Sequence, residues 1–106
     1  STIALVGYRT AITRTREAVL KEDLFRMRDA IDQFHADRGV YPTALEGLVS
    51  TGYLRSIPDD PFTNSAETWI TVLAEIDPSD PLTQGIYDVR SGSVRTALDG
   101  TQYAEW

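Results

Sequence analysis

The sequence has no cysteine among its 106 residues. Disulfides and thiolate metal sites are therefore excluded, and the core must be held by packing and by any ion that oxygen atoms bind. Apolar runs are also short: none reaches the roughly eighteen residues that a membrane-spanning helix needs. The one histidine, His35, has no second imidazole to complete a metal set or a catalytic triad. Its position near a predicted helix end favours a structural role.

Positive charge is scarce in the second half of the chain. Up to Arg38 there are seven basic and six acidic residues, whereas from Gly39 onward there are three basic and ten acidic residues. The net charge of -6 therefore belongs to the second half. Because such a surface repels phosphate backbones, nucleic acid is not an expected partner, and a cation suits it better.

One stretch, residues 15–42, predicts a long amphipathic helix. Apolar residues recur there at steps of four and three: Leu20, Leu24, Met27, Ile31 and Phe34. We expect Phe25 to widen this stripe and Gly39 to end the helix in a left-handed cap. Acid–base pairs at a spacing of four predict a solvated opposite face. They are Glu17 with Lys21, Glu22 with Arg26, and Arg28 with Asp32.

The rest of the chain predicts short elements. Thr43 and Glu46 fit a capping box, which would open a second helix that ends near Ser50. Residues 58–61 and 77–81 are proline-rich loops. Strands are expected at residues 69–74, 85–90 and 94–98, followed by a turn at Asp99 and Gly100. The chain is thus predicted to be one α+β domain, residues 1–106, with a long N-terminal helix packed on a short helix, loops and a small antiparallel sheet.

Residues 1–8 are apolar and lead into the long helix without a stop signal. One interpretation is that they form the end of a longer, truncated hydrophobic anchor helix. The other is that they form a frayed terminus or a small extra turn of the core.

Three later segments, taken in order, resemble a known family. They are Asp-Arg-Gly-x-Tyr-Pro-Thr at residues 37–43, Tyr-Leu-x-x-Ile-Pro-x-Asp-Pro-Phe at 53–62, and Ile-Tyr-Asp-Val-x-Ser at 86–91. Together with the long helix they resemble the type IV pilin-like superfamily, and within it the major, G-type pseudopilin of type II secretion systems. The resemblance covers nearly the whole chain from about residue 9.

The resemblance implies a structural subunit rather than an enzyme. Such subunits are processed, methylated and anchored in the bacterial inner membrane by an apolar helix that would precede Ser1, with the head in the periplasm. They polymerise with copies of themselves, and with minor pseudopilins and an assembly platform, into a pseudopilus that serves protein transport. The alternative within the superfamily is a type IV pilin-like surface filament, extracellular, for adhesion, motility or uptake.

The resemblance also implies a calcium site in the C-terminal loop. The candidate ligands in this sequence are Asp88, Asp99 and Glu105, because calcium prefers oxygen ligands. The other interpretation is that Asp99 only makes a turn with Gly100.

A different class of function would use the acidic loops as paired carboxylates for acid–base catalysis. The residues concerned are Asp59, Asp60, Asp77 and Asp80. Since they alternate with prolines and have no nucleophile in a recognisable motif nearby, solvated loops are the favoured interpretation.

Overall fold

The fold is α+β, as the sequence predicts. A computed structural model describes residues 2–76, 78–79 and 84–106. In these ranges the chain forms helix α1 (Thr2–Arg38), helix α2 (Glu46–Ser50), strand β1 (Ile70–Leu73), strand β2 (Ile86–Arg90) and a final 3₁₀ turn (Tyr103–Glu105). Two predicted loop residues, Asp77 and Asp80, lie outside the described residues.

Helix α1 sets the length of the molecule. Its 37 residues span about 55 Å at 1.5 Å per residue, close to the longest dimension of 62 Å. Gly39 ends it with a φ of 73°, and its amide donates to the His35 carbonyl over 2.8 Å. The predicted glycine stop is therefore confirmed. Within the described residues, no helix combines the length and the apolarity that crossing a membrane requires.

The predicted apolar stripe is the centre of the core. Each of its five residues is at most 9% exposed, and they cluster with Leu48 of α2, Val89 of β2 and Tyr103 of the last turn. The C-terminal tail is thus docked on the helix. The prediction for Phe25 is wrong, because this side chain is 66% exposed. It follows Leu24 directly, so it points about 100° further round the helix and away from the core.

The two strands pair antiparallel, with Ile70 opposite Arg90 and Thr71 opposite Val89, and the register shifts between Val72 and Leu73. Both strands are predicted from the sequence, but each is shorter than predicted. Just beyond β2, a Cβ atom on Gly92 would overlap the Thr68 carbonyl oxygen. Only glycine permits this close approach of two backbone segments.

The predicted third strand is wrong. Residues 94–98 form a single bridge, Thr96 with Gln102, and no strand. The chain already reverses at Gly100, whose φ is 89° and whose amide donates to the Ala97 carbonyl over 3.0 Å. Val94 is 96% exposed and Ala97 is the only buried residue of this segment, so too little apolar surface is covered to order a longer ladder.

The predicted capping box is also wrong. Helix α2 begins at Glu46, its cap position is Leu45, and no side chain caps it. The backbone is already helical at Leu45, and the Gly47 amide donates to the Ala44 carbonyl. Thr43 therefore lies two residues before the cap position of α2, and the predicted cap of a helix starting at Ala44 does not form.

Candidate functional site

The first half of α1 contributes none of its described side chains to the buried core. Among the side chains of this helix that the structure describes, every buried one lies at Leu20 or beyond, whereas Leu5 is 50% exposed, Tyr8 66% and Val19 45%. We call residues 2–19 the stalk and residues 20–106 the head. The stalk is a helix that carries aliphatic and aromatic side chains on its exposed surface.

The stalk is also basic. Arg9, Arg14 and Arg16 are exposed. Only two ion pairs form in the part of the chain that the structure describes, Glu22 with Arg26 and Arg28 with Asp88, so the three stalk arginines pair with nothing there. The predicted pair of Glu22 with Arg26 is confirmed, at 2.8 Å. The other two predicted helix pairs are wrong, because Glu17 and Arg28 bind residues of the tail and of β2 instead.

Arg28 joins three segments of the head. Its Nε donates to Asp88 Oδ1 over 2.8 Å, and one terminal nitrogen donates to the main-chain oxygens of Val89 and Trp106 over 3.0 and 3.1 Å. The side chains of Arg28 and Asp88 are 33% and 20% exposed. Because it is partly withdrawn from water and satisfies a carboxylate and two carbonyls, this arginine fastens both β2 and the tail to α1.

A groove of about 440 Å³ lies between α1 and the tail, and it contains both charge signs. Its walls are Lys21, Leu24, Arg28, Asp99, Thr101, Glu105 and Trp106. Lys21 Nζ lies 4.9 Å from the centroid of the Trp106 ring, a cation–π distance. The indole nitrogen of Trp106 donates to Thr101 Oγ1 over 2.8 Å, which closes one end of the groove.

The three predicted calcium ligands all lie near the C-terminal tail, but their carboxylates have different surroundings. Asp99 and Glu105 line the groove, whereas Asp88 Oδ1 accepts from Arg28 and from the Val89 amide. Asp99 Oδ1 accepts from Thr101 Oγ1 over 2.5 Å and from the Thr101 amide over 3.0 Å. These bonds favour the carboxylate and lower the pKa of Asp99.

No three histidines or carboxylates come close enough to hold a metal ion among the residues with a described placement. Asp99 does form the turn with Gly100 that the alternative interpretation names. Calcium binding by Asp88, Asp99 and Glu105 stays a prediction from the resemblance.

The sequence predicts that the acidic loops are solvated, but one of their carboxylates is buried. Asp60 is 0% exposed. Its Oδ2 accepts from Ser91 Oγ over 2.5 Å and its Oδ1 from the Phe62 amide over 2.8 Å, so both oxygens are used. Ser91 Oγ in turn accepts from the Ser93 amide over 3.1 Å. This network ties the loop before Phe62 to the segment that follows β2.

Of the other three acidic residues considered for catalysis, Asp59 is exposed, and Asp77 and Asp80 lie outside the described residues. The spacing Asp60-Pro61-Phe62 is typical of a side chain that bonds the amide two residues on, and this signal could have revealed a structural role.

Tyr103 links the tail to the base of the stalk. Its ring is 1% exposed and stacks on Phe62 with centroids 4.0 Å apart, and its hydroxyl donates to Glu17 Oε2 over 3.2 Å. Burial, with the nearby Glu17 charge, raises the pKa of Tyr103 to about 12. The Leu98 amide donates to the same Glu17 oxygen over 3.4 Å. These two hydrogen bonds to Glu17 therefore attach the stalk to the head.

His35 stacks on Tyr41 with ring centroids 4.1 Å apart, at the end of α1. This contact gives the imidazole a packing role in the turn between α1 and α2.

Taken together, the geometry defines an α+β protein in which an uncovered helical stalk projects from a small head. Comparison with protein-family models, with curated proteins and with solved structures finds no match to the chain.

Proposed function

We propose that this chain is a structural subunit of a pseudopilus filament in type II protein secretion, of the G-type. The observation that carries the proposal is the stalk, whose Leu5, Tyr8 and Val19 are about half or more exposed, whereas from Leu20 onward the same helix has a buried apolar stripe. An apolar helix surface that the fold leaves bare gains free energy when copies pack against it, at roughly 25 cal/mol per Å² buried.

In this proposal the stalks pack side by side in the filament and the heads lie outside. Charged residues on the helix then fix the register between neighbouring copies rather than supply most of the affinity. The charged residues for such pairing are Arg14, Arg16, Glu22 and Asp23, of which Glu22 already pairs with Arg26 in its own helix. Glu17 is also charged, but it is engaged by Tyr103 and Leu98 inside its own head.

The resemblance supplies the cellular setting of the proposal. An apolar helix before Ser1 would anchor the subunit in the inner membrane, with the head in the periplasm. The partners would be further copies of the chain, minor pseudopilins and the assembly platform. No chemistry is assigned to the protein.

The proposal is tested by removing the apolar character of the stalk without touching the head. We expect Leu5→Asp in the full-length gene product, expressed with its secretion genes, to abolish filaments in electron micrographs and to stop secretion. The matched control is Leu98→Asp, because Leu98 is also 50% exposed but lies on the head. Filaments of normal abundance with Leu5→Asp would contradict the proposal. An equal loss of filaments with Leu5→Asp and with Leu98→Asp would also contradict it.

A surface filament for adhesion, motility or uptake would use the same stalk. The lack of cysteine favours the pseudopilus, because many pilins close their C-terminal loop with a disulfide and this chain has none. Neighbouring genes for a secretin and a secretion ATPase would support the pseudopilus. A neighbouring retraction ATPase would support the surface filament.

A further inference from the structure

Charge is divided sharply between the part of the stalk before Glu17 and the rest of the chain. All sixteen acidic residues of the sequence lie at Glu17 or beyond, whereas the segment before Glu17 contains Arg9, Arg14 and Arg16. That segment therefore has a charge of +3. The other seven basic and sixteen acidic residues give the rest of the chain a charge of -9. A uniform solubilising surface would not separate the two signs in this way.

The basic segment also offers apolar contacts. Tyr8 is 66% exposed and Leu5 is 50% exposed, and both stand beside Arg9 on the same helix. Arginine, an amphipathic aromatic ring and an aliphatic side chain together suit a boundary between water and lipid. Arginine stems can lie along apolar surface while their guanidinium groups reach phosphate.

We propose that residues 5–16 of the stalk bind the headgroups of anionic phospholipids through Arg9, Arg14 and Arg16, with Tyr8 at the edge of the acyl region. The contact is a property of the single chain and needs no filament, so it goes beyond the function proposed above. Vesicle binding by a chain that never polymerises would still support it.

The position of Arg9 separates it from the acidic head, whereas Arg14 and Arg16 lie only about 9 and 6 Å before Leu20 along the helix axis. Arg9 lies eleven residues before Leu20, about 16 Å along the helix axis. This distance exceeds the Debye length of about 8 Å at physiological salt, so the head's negative charge is largely screened at Arg9. The head itself is repelled by an anionic surface. The stalk end therefore points toward the lipid and the head away from it.

An acidic head of a second copy could also attract these arginines. The lipid surface is favoured because Leu5 and Tyr8 accompany them, and these side chains gain from a partner that is both anionic and apolar. Self-association is kept as an outcome of the test.

The test is cosedimentation of the 106-residue chain with vesicles of equal parts phosphatidylglycerol and phosphatidylcholine, and with pure phosphatidylcholine vesicles. We expect binding to the anionic vesicles alone, and we expect it to weaken as salt rises. Each arginine changed to glutamine should lower the partition coefficient about fivefold, and all three together about a hundredfold. Arg9→Gln should cost the most among the single variants. Tyr8→Ala should also weaken binding.

The control variant changes Arg26, Arg55 and Arg95 to glutamine, three exposed arginines of the head, and so alters the net charge by the same amount. It should bind as well as the unaltered chain. Equal losses in the two triple variants, equal binding to neutral vesicles, or no binding to anionic vesicles would overturn the proposal. The proposal would also be overturned if replacing the stalk arginines changed self-association of the chain in sedimentation but left its vesicle binding unchanged. Circular dichroism confirms that each variant is folded.

Discussion

The guanidinium of Arg28 donates to the carboxylate of Asp88 over 2.8 Å, across sixty residues of sequence. Two residues before Arg28 in the same helix, Arg26 pairs with Glu22 at the same distance, but the side chains of this pair are 68% and 56% exposed. The two pairs therefore differ in their contact with water and in what else the arginine binds, and not in length.

This contrast predicts different costs of substitution. We expect Arg28→Ala to lower the free energy of unfolding by about 2–3 kcal/mol, because it leaves a half-withdrawn carboxylate and two carbonyls without their donor. Arg26→Ala should cost less than about 0.5 kcal/mol, as is usual for an exposed pair. Urea unfolding measures both. Equal costs would show that Arg28 does not fasten the tail.

Ser91 gives a second prediction, for the buried carboxylate of Asp60. Ser91→Ala removes the hydroxyl that Asp60 Oδ2 accepts from, and no water can replace it at a residue that is 0% exposed. We expect a loss of about 1–3 kcal/mol in urea unfolding. The control is Ser50→Ala, since Ser50 is exposed and bonds only the Gly47 carbonyl in its own helix. Similar small losses in both variants would argue against the network.

Tyr103 gives a prediction at high pH. Its pKa is raised from 10.0 to about 12 in the folded chain, so folding favours the neutral phenol. The stabilisation is fully present below pH 10 and is lost as pH rises through the folded pKa, and it amounts to about 2–3 kcal/mol from the size of the shift.

The measurement is the free energy of unfolding from pH 9 to about 12 for the unaltered chain and for Tyr103→Phe. The difference in the free energy of unfolding between the two chains should shrink across that interval. Only the unaltered chain has the phenol of Tyr103, whose ionisation at high pH destabilises the fold. Tyr8→Phe, on the stalk, is the control and should run parallel to the unaltered chain. A constant difference between Tyr103→Phe and the unaltered chain would contradict the prediction.

The calcium prediction is tested by thermal melts with calcium and with chelator. If Asp99 and Glu105 bind the ion with Asp88, calcium should raise the melting temperature by several degrees, because a ligand of the folded form alone stabilises it by mass action. Asp99→Asn should remove the rise, and Asp59→Asn, in an exposed loop of the head, should not. Identical melts with calcium and chelator would leave Asp99 as a turn residue, held by Thr101.

The parts of the fold that sequence could predict are those with local causes. The spacing of Leu20 to Phe34 defines the buried face of α1, and Gly39 supplies the left-handed residue that ends it. The two strands follow from runs of β-forming residues. Residues 94–98 include β-forming residues but bury only Ala97, and pairing depends on a buried face as much as on propensity.

The candidate site was less accessible to prediction, because its contacts join distant residues. A helix spacing of four made Asp32 the expected partner of Arg28, whereas the fold brings Asp88 to it. Likewise, the helix spacing predicts Lys21 as the partner of Glu17, whereas Glu17 bonds Tyr103, 86 residues away. Asp60 looked solvated beside its prolines, since nothing local indicates that Ser91 covers it. In each case a tertiary contact outcompetes a weak helical pair or an exposed loop.

The position of Tyr103 has a consequence for the order in which the head can form. Tyr103 follows Glu17 by 86 residues, yet it packs in the core with the helix stripe and bonds Glu17. During synthesis α1 can form as soon as it is made, but part of its apolar face stays uncovered until Tyr103 has been added. The head therefore cannot close before that residue is made, and a chain interrupted or cleaved before it would be prone to aggregation.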